Sequence, residues 1–209
     1  MIAGVVLAAG SGSRFGGAGA KQLAELDGIP LLEHALRAVE AVPAIGRIVV
    51  VLGARAEEIR AGVDLGQAEA VVCENWAEGQ AASLRCGIAA VAGAEAAVLT
   101  LGDMPRITPQ VIARFAELAA EHGTQARARA VYDGMPGHPV VLGRAYFEHV
   151  AALRGDVGAR DVLKAIGAYP IECSQLCDAT DVDTPEALER LRAPGARSAG
   201  GGARPGAAA

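Results

Sequence analysis

The sequence is poor in aromatic side chains and has no run of basic residues. Phenylalanine, tryptophan and tyrosine make up 3% of its 209 residues, and its formal net charge at pH 7 is −5. Proteins that bind nucleic acids present a positive surface, and those that bind single strands also stack bases on aromatic rings. We therefore expect no nucleic-acid partner, and an anionic ligand would have to be held by a few local cations.

Long apolar runs and metal-binding cysteine patterns are also missing. The longest candidate for a membrane span, residues 88–101, is interrupted by Glu95, and no basic segment precedes the short apolar run at 5–9. Neither a membrane span nor a signal peptide is predicted. No CxxC pair occurs among the four cysteines, Cys73, Cys86, Cys173 and Cys177. The sequence thus favours a cytoplasmic protein with reduced thiols.

Strands that alternate with helices are predicted along most of the chain. Apolar runs such as 47–52 and 69–73 have the continuous character of strands covered on both faces, and amphipathic helices separate them. This order predicts right-handed crossovers and a parallel sheet. Strands at 128–133 and 139–143, around a loop at 134–139, predict a small antiparallel extension over the site. We expect one α/β domain, Rossmann-like and three-layered, with a mostly parallel central sheet.

The domain is predicted to span residues 1–193. From 194 to 209 the chain contains only Gly, Ala, Pro, Arg and Ser, so no large apolar side chain can anchor it, and a disordered tail is predicted. A second flexible segment is predicted at GGAGA (16–20), because glycine and alanine restrain the backbone little there.

A glycine-rich loop after the first strand is the most informative stretch. Residues 2–23 read IAGVVLAAGSGSRFGGAGAKQL, in which the loop carries Arg14 and Lys21. Glycines let backbone amides approach a polyphosphate, and the two cations can neutralise its charge. The loop is not a dinucleotide fingerprint, since Phe15 stands where glycine or alanine is required, nor a P-loop, since Ala20 precedes the lysine. The alternative is an ordinary glycine-rich turn.

Two acidic residues are candidates for holding a divalent cation. Asp103 follows the apolar strand at 96–101, at the carboxyl end of a central strand where open α/β sheets bind ligands. Asp183 is the second candidate. Carboxylate oxygens suit Mg²⁺, which would offset the charge of a triphosphate. The alternatives are that Asp103 caps a turn before Pro105 and that Asp183 belongs to the N-terminus of the last helix.

Six motifs occur in a fixed order along the chain. They are LAAGSGSR (7–14) with Lys21, NWAEGQAASLRCGI (75–88), LGDMP (101–105), GHPVVL (137–142), GDVGAR (155–160) and DVDTPEAL (181–188). Together, up to residue 192, they resemble the molybdenum cofactor cytidylyltransferases, the MocA-like branch of the MobA-like NTP transferase family. The resemblance implies a fold like that of nucleotide-diphospho-sugar transferases. The segment before Lys21 departs from the family pattern, because it lacks the proline that often precedes the lysine.

The resemblance also implies roles for individual residues. The catalytic residues would be Arg14, Lys21 and Asp103, and Asp103 would hold the Mg²⁺ ion, for which Asp183 is the second candidate named above. The nucleotide would be bound by Leu7, Ala8, Ala9, Gly10, Gly12, Glu78, Gly79 and Ser83. The acceptor would be bound by His138, Asp156 and Arg160, although His138 has the alternative role of ordering a loop. Guanylyl-transferring relatives read LAGG where this chain reads LAAG, so Ala9 favours CTP.

The expected activity is transfer of CMP from CTP to molybdopterin cofactor, with Mg²⁺ as cofactor and release of pyrophosphate. A molybdoenzyme or its maturation chaperone is the expected protein partner. One alternative is a cytidylyltransferase that acts on methylerythritol phosphate or another phosphorylated metabolite, because AKQL (20–23) is similar to the enzymes that make cytidyldiphospho-methylerythritol. The alternative of another class is a non-catalytic protein that binds or inserts the molybdenum cofactor.

Overall fold

The computed structural model describes residues 1–16 and 20–193. The predicted tail at 194–209 lies outside these residues, as does most of the GGAGA segment for which flexibility is predicted. Within the described part, no helix is both long and apolar enough to cross a membrane.

Strands and helices alternate along the chain, as the apolar periodicity predicts. The strands are β1 (Ile2–Leu7), β2 (Glu25–Leu26), β3 (Ile29–Pro30), β4 (Ile45–Leu52), β5 (Glu69–Val72), β6 (Ala96–Leu101), β7 (Arg127–Tyr132), β8 (Met135–Gly143) and β9 (Tyr169–Glu172). The helices are α1 (Leu31–Glu40), α2 (Ala56–Gly62), α3 (Gln80–Ala90), α4 (Pro109–His122), α5 (Phe147–Ala151), α6 (Ala159–Ala165) and α7 (Pro185–Arg192). Short 3-10 helices lie at Ser13–Phe15, Lys21–Leu23, Trp76–Glu78, Gly123–Gln125 and Arg144–Tyr146.

The central sheet has seven strands in the order β5-β4-β1-β6-β8-β7-β9. Strands β5, β4, β1 and β6 are parallel, β8 is antiparallel to both β6 and β7, and β9 is parallel to β7. Strands β2 and β3 form a separate antiparallel pair. The predicted mostly parallel sheet with a small antiparallel part is confirmed. Because β8 runs against its neighbours, its N-terminal end lies at the same edge as the carboxyl ends of β1, β6 and β7.

Successive residues of the central strands face two different helical layers. Val6 packs in a buried cluster with Phe115 of α4, whereas Val5 packs with Leu84 of α3 on the other face. Burial on both faces explains why these strands read as continuous apolar runs rather than as alternating patterns. The result is the three-layer arrangement that the sequence predicts.

A third apolar cluster fixes the last helix beside the small β2–β3 sheet. It contains Leu26, Leu31, Val182, Leu188 and Leu191, all buried. Val182 is fully buried, and its backbone N–H donates to the carbonyl of Asp103 at 2.9 Å. The segment before α7 is thereby attached to the carboxyl end of β6.

One predicted loop is wrong. Residues 134–139 are predicted as a loop, but β8 begins at Met135 and pairs that residue with Tyr132. The connection is a two-residue turn in which Asp133 and Gly134 have φ values of 49° and 80°. An Asp-Gly pair is a typical signal for such a hairpin turn, because both positions require a positive φ. His138 therefore lies in a strand.

Candidate active site

The glycine-rich loop begins at the carboxyl end of β1 and is held by neighbouring strands. The N–H of Ala8 donates to the carbonyl of Val51 at 2.9 Å, and the carbonyl of Leu7 accepts from the N–H of Gly102 at 3.0 Å. Gly12 has a φ of 63°, and a Cβ built there would lie 2.9 Å from the Cβ of Lys21. Gly12 is required both by its backbone conformation and by the close approach of Lys21.

A buried glutamine fixes the path of this loop. The side-chain amide of Gln22, which is 5% exposed, donates to the carbonyl of Ala8 at 2.7 Å and to the carbonyl of Gly10 at 3.2 Å. Sequence reasoning missed this role, and the available signal was a glutamine next to Lys21 in the AKQL segment. Gln22 thereby ties the start of the glycine-rich loop to the segment that carries Lys21.

Lys21 is the centre of the charged cluster. Its Nζ donates to Oδ2 of Asp103 at 2.6 Å and to Oδ1 of Asp183 at 3.0 Å, and its side chain is 10% exposed. Burial opposes its charge, but Asp103 and then Asp183 outweigh this effect, so the pKa of Lys21 is raised. A buried ammonium ion between two carboxylates is paired and fully charged at neutral pH.

Asp103 has one oxygen free for a further ligand. Its Oδ2 binds Lys21, whereas its Oδ1 is buried and has no hydrogen-bond partner within the described residues. A buried carboxylate oxygen without a donor is unfavourable unless a cation or donor reaches it. The residues that the structure describes contain no group of three or more His, Cys, Asp or Glu side chains arranged to hold a metal. The Asp103–Asp183 pair fits Mg²⁺ or Mn²⁺, because such ions are usually held by one or two carboxylates plus substrate phosphates.

Asp183 is brought to this cluster by the start of α7. Thr184 caps the helix by accepting a hydrogen bond from the N–H of Ala187 at 3.2 Å, and Pro185 occupies the first turn. The helix N-terminus considered for this segment is therefore present, but Thr184 caps it and leaves the Asp183 carboxylate free to pair with Lys21. The helix N-terminus is thus confirmed, whereas the role of Asp183 as a metal ligand stays a prediction.

Two other charged residues adjoin Asp183. Arg14 pairs with its Oδ2 at 3.0 Å, although the Arg14 side chain is 77% exposed. Partial burial and the negative charges of Asp103 and Asp183 raise the pKa of Asp181 to about 6, although the residue as a whole keeps much of its surface in water. The described part of the site thus contains alternating positive and negative groups at one edge of the sheet.

A cavity of about 70 Å³ lies between the loop and this cluster. Its lining residues are Leu7, Ala8, Gly10, Gly12, Lys21, Gln22, Leu31, Gly102 and Asp103. Most of the residues predicted on this loop therefore surround one cavity. Ala9 is not among them: its side chain is buried in the apolar cluster with Val5 and Leu84, and its carbonyl accepts from the N–H of Ala54 at 3.1 Å.

The predicted base-binding segment lies against the predicted acceptor-binding segment. Gly79 has a φ of 112°, and a Cβ there would lie 2.6 Å from the backbone of Gly155. Glu78 forms an ion pair with Arg85 at 3.2 Å, and Ser83 is half-buried on the first turns of α3. These residues, Glu78, Gly79 and Ser83, do not line the cavity beside Lys21.

The three predicted acceptor residues lie on two segments. Asp156 and Arg160 are exposed, and His138 is half-buried in β8. Burial lowers the pKa of His138 to about 4; Asp103 opposes this shift and Arg129 adds to it. His138 is therefore a neutral imidazole at pH 7, able to donate or accept a hydrogen bond but not to neutralise an anion. Sequence reasoning missed Arg129 because its strand carries no recognisable motif.

The fold and this site define a class of protein. A doubly wound α/β sheet carries a glycine-rich loop, a lysine and a pair of carboxylates at the carboxyl edge of its central strands, the edge where such sheets bind nucleotides. This arrangement is that of a nucleotidyltransferase.

Comparison with known proteins identifies the family. Residues 4–171 match the MobA-like NTP transferase domain. The chain is 32% identical over 200 residues to nicotine blue oxidoreductase of Paenarthrobacter nicotinovorans, which covers 91% of this chain and 96% of that one. It is 38% identical over 138 residues to 2-C-methyl-D-erythritol 4-phosphate cytidylyltransferase of Cereibacter sphaeroides, which covers 62% of this chain and 57% of the relative. The protein belongs to the MobA-like NTP transferase family, as the motifs predict.

Solved structures agree with this assignment. Rv0371c of Mycobacterium tuberculosis H37Rv superposes with a TM-score of 0.80 at 31% identity, covering 91% of this chain and 96% of that one. A structure of Rv0371C in complex with manganese gives a TM-score of 0.74 at 28% identity, covering 91% and 97%. A divalent metal ion is therefore compatible with this fold.

Proposed function

We propose that the protein transfers CMP from CTP to molybdopterin cofactor and releases pyrophosphate. The single observation that carries this proposal is the position of the Lys21 ammonium group, 2.6 Å from Asp103 and 3.0 Å from Asp183, at the cavity formed by the glycine-rich loop. Cations and a carboxylate pair at one cavity suit a triphosphate bound with a divalent metal ion.

The proposed reaction needs no protein nucleophile. A phosphate oxygen of the acceptor attacks the α-phosphorus of CTP, the bond from that phosphorus to the bridging oxygen breaks, and pyrophosphate leaves with the electron pair. Arg14 and Lys21 neutralise the leaving phosphates, and Asp103 and Asp183 are the residues that would hold Mg²⁺. The metal ion, when bound, withdraws charge from the phosphate oxygens. A general base is unnecessary because the attacking phosphate is already ionised, which agrees with a neutral His138.

The choice of CTP rests on Ala9 and on one relative. Ala9 occupies the position where guanylyl-transferring proteins of the family have glycine, and its methyl group is buried beneath the loop. We infer that it acts through the backbone path of the loop rather than by touching the base. The 38% identity to a cytidylyltransferase supports the same donor.

The choice of acceptor rests on GHPVVL and GDVGAR, which resemble segments of the molybdenum cofactor branch. The packing of Gly79 against Gly155 brings the proposed base-binding and acceptor-binding segments together. On this proposal the protein acts in the cytoplasm and passes its product to a molybdoenzyme or its maturation chaperone. The identity to 2-C-methyl-D-erythritol 4-phosphate cytidylyltransferase keeps that phosphorylated acceptor as the alternative within the same reaction class.

A second candidate function is oxidoreduction. It is favoured by the 32% identity to nicotine blue oxidoreductase along nearly the whole length of both chains. A dinucleotide reductant would place its diphosphate on the same loop, but Phe15 replaces the small residue that a dinucleotide fingerprint needs. Consumption of NADH or NADPH with no release of pyrophosphate from any triphosphate would favour this second candidate.

Thermal unfolding with nucleotides tests the donor. With Mg²⁺ present, CTP at about 100 times its Kd should stabilise the protein by about 2.7 kcal/mol. For a domain of this size such a gain corresponds to a rise in Tm of about 5 to 10 °C. GTP and ATP at the same concentration should raise the Tm less. Stabilisation by GTP alone would overturn the choice of CTP.

A further inference from the structure

A pair of arginines beyond His138 has no carboxylate partner. Arg129 lies in β7, and Arg160 is the second residue of α6, which packs on that strand. Within residues 1–16 and 20–193, neither guanidinium forms an ion pair, and the Nε of Arg129 is buried without a hydrogen-bond acceptor. A buried donor without an acceptor is unfavourable and is rare in folded proteins.

The two guanidinium groups also repel each other. Burial lowers the pKa of Arg129, and the positive charge of Arg160 lowers it further. Two like charges that interact in this way destabilise each other, and an anion bound near both would remove that cost. An anion at this position would satisfy the Nε donor and offset both charges.

The position of this pair relative to Asp103 is fixed by the sheet. In the strand order, β1 and its glycine loop lie on one side of β6, and β8 and β7 lie on the other. His138 of β8 is within electrostatic reach of both Asp103 and Arg129. The arginine pair therefore lies on the side of Asp103 opposite to the triphosphate loop.

We propose that Arg129 and Arg160 together bind the phosphomonoester group of the acceptor. Two planar guanidinium groups can each offer paired N–H donors to a phosphate, which a lysine cannot do. With the triphosphate on the β1 side and the acceptor phosphate on the β7 side, the attacking oxygen approaches the α-phosphorus from the side away from the leaving group. This inference rests on the proposed function for the identity of the acceptor, but not for the existence of the anion site.

A neighbouring arginine provides a matched control. Arg127 lies two residues before Arg129 in β7, but its guanidinium stacks on the rings of Tyr146 and Tyr169 at 5.7 and 5.3 Å. Arg127→Gln removes the same charge as Arg129→Gln from the same strand. If only the loss of a positive charge mattered, Arg127→Gln and Arg129→Gln would change the kinetics equally.

The kinetic test compares these two variants with saturating CTP and Mg²⁺. Arg129→Gln should raise the KM for molybdopterin about tenfold or more, as expected for a charge-assisted hydrogen bond, and leave the KM for CTP unchanged. Arg129→Lys should recover only part of the loss, because a lysine lacks the paired donors. Equal KM values for molybdopterin in Arg127→Gln and Arg129→Gln would overturn the inference. The inference would also be overturned if only the KM for CTP rose, because the arginine pair would then bind the donor nucleotide.

A binding test does not depend on turnover. Inorganic phosphate is titrated into the full-length protein while the side-chain Nε–Hε signals are followed by NMR, with the Arg129 signal assigned by its loss in Arg129→Gln. Phosphate should shift the Arg129 signal, and the shift should weaken in Arg160→Gln. No shift of this signal would overturn the site. A shift without any transfer of CMP would keep the anion site and reject the proposed function, so the two failures are distinguishable.

Discussion

Replacing Lys21 by methionine tests whether its positive charge both stabilises the fold and weakens the binding of a metal ion. The ammonium group pairs with Asp103 and Asp183, and its side chain is 10% exposed. Removing one partner of a buried ion pair costs about 3–5 kcal/mol. Because Asp103 and Asp183 keep 24% and 36% of their side-chain surface in water, we expect the lower end, about 3 kcal/mol, or a fall in Tm of about 6 to 12 °C.

The same substitution should strengthen the binding of a metal ion. In the wild-type protein Lys21 takes one oxygen of each carboxylate, Oδ2 of Asp103 and Oδ1 of Asp183, and its charge repels a cation that approaches the pair. Without nucleotide, Lys21→Met should therefore bind Mn²⁺ at least about tenfold more tightly, a difference of about 1.4 kcal/mol. Added Mn²⁺ should restore much of the lost Tm. Transfer of CMP should still be lost, because the triphosphate has lost a cation.

Calorimetric titration measures the affinity for Mn²⁺, and thermal unfolding with and without Mn²⁺ measures the change in Tm. The matched control is Arg14→Met, which removes a cation from the same cluster. The Arg14 side chain is 77% exposed, so its loss should cost less than about 1 kcal/mol. If Lys21→Met unfolds at the wild-type temperature and binds Mn²⁺ no better, the cluster neither stabilises the fold nor competes with a metal ion.

Three further outcomes are expected. Asp103→Asn should lose nearly all turnover and the stabilisation by Mg²⁺ with CTP. Circular dichroism should show that the variant stays folded. Retained activity would remove Asp103 from the mechanism. Gly12→Ala should raise the KM for CTP and lower the Tm, because alanine is strained at a φ of 63° and its Cβ would lie 2.9 Å from the Cβ of Lys21. An unchanged KM and Tm would show that the loop can adopt another backbone path. His138 should stay neutral down to about pH 4. In the unfolded chain a histidine takes up a proton near pH 6.5. The contribution of His138 to stability is therefore complete above pH 6.5 and is lost as the pH falls from about 6.5 to about 4. An imidazolium ion at His138 detected by ¹⁵N NMR at pH 6 would contradict this.

The fold was largely predictable because burial on both faces leaves a plain pattern in the sequence. The runs at 47–52 and 96–101, which form most of β4 and all of β6, are predicted as apolar strands from their sequence alone. The loop predicted at 134–139 is wrong because Asp133 and Gly134 both adopt a positive φ and turn the chain within two residues, so that β8 begins at Met135.

The contacts within the site could not be predicted, because they join distant parts of the chain. Lys21 and Asp183 are 162 residues apart in sequence, and they meet because Val182 packs in the third apolar cluster and donates to the carbonyl of Asp103. The same holds for Arg129, which lies in no motif. Only the structure shows that its Nε is buried without an acceptor and that the charge of Arg160 acts on it. Motifs identified which residue types mattered, whereas the fold determines which of them meet.

Release of pyrophosphate from CTP is the most direct test of the proposed function. The wild-type protein is supplied with Mg²⁺, with CTP, GTP or ATP, and with molybdopterin cofactor, methylerythritol phosphate or no acceptor. We expect pyrophosphate only with CTP and molybdopterin cofactor together, in equal amounts with a product that carries CMP. Release only with methylerythritol phosphate would replace the proposed acceptor. No release from any triphosphate with any acceptor would contradict the proposal and leave a binding protein or an oxidoreductase.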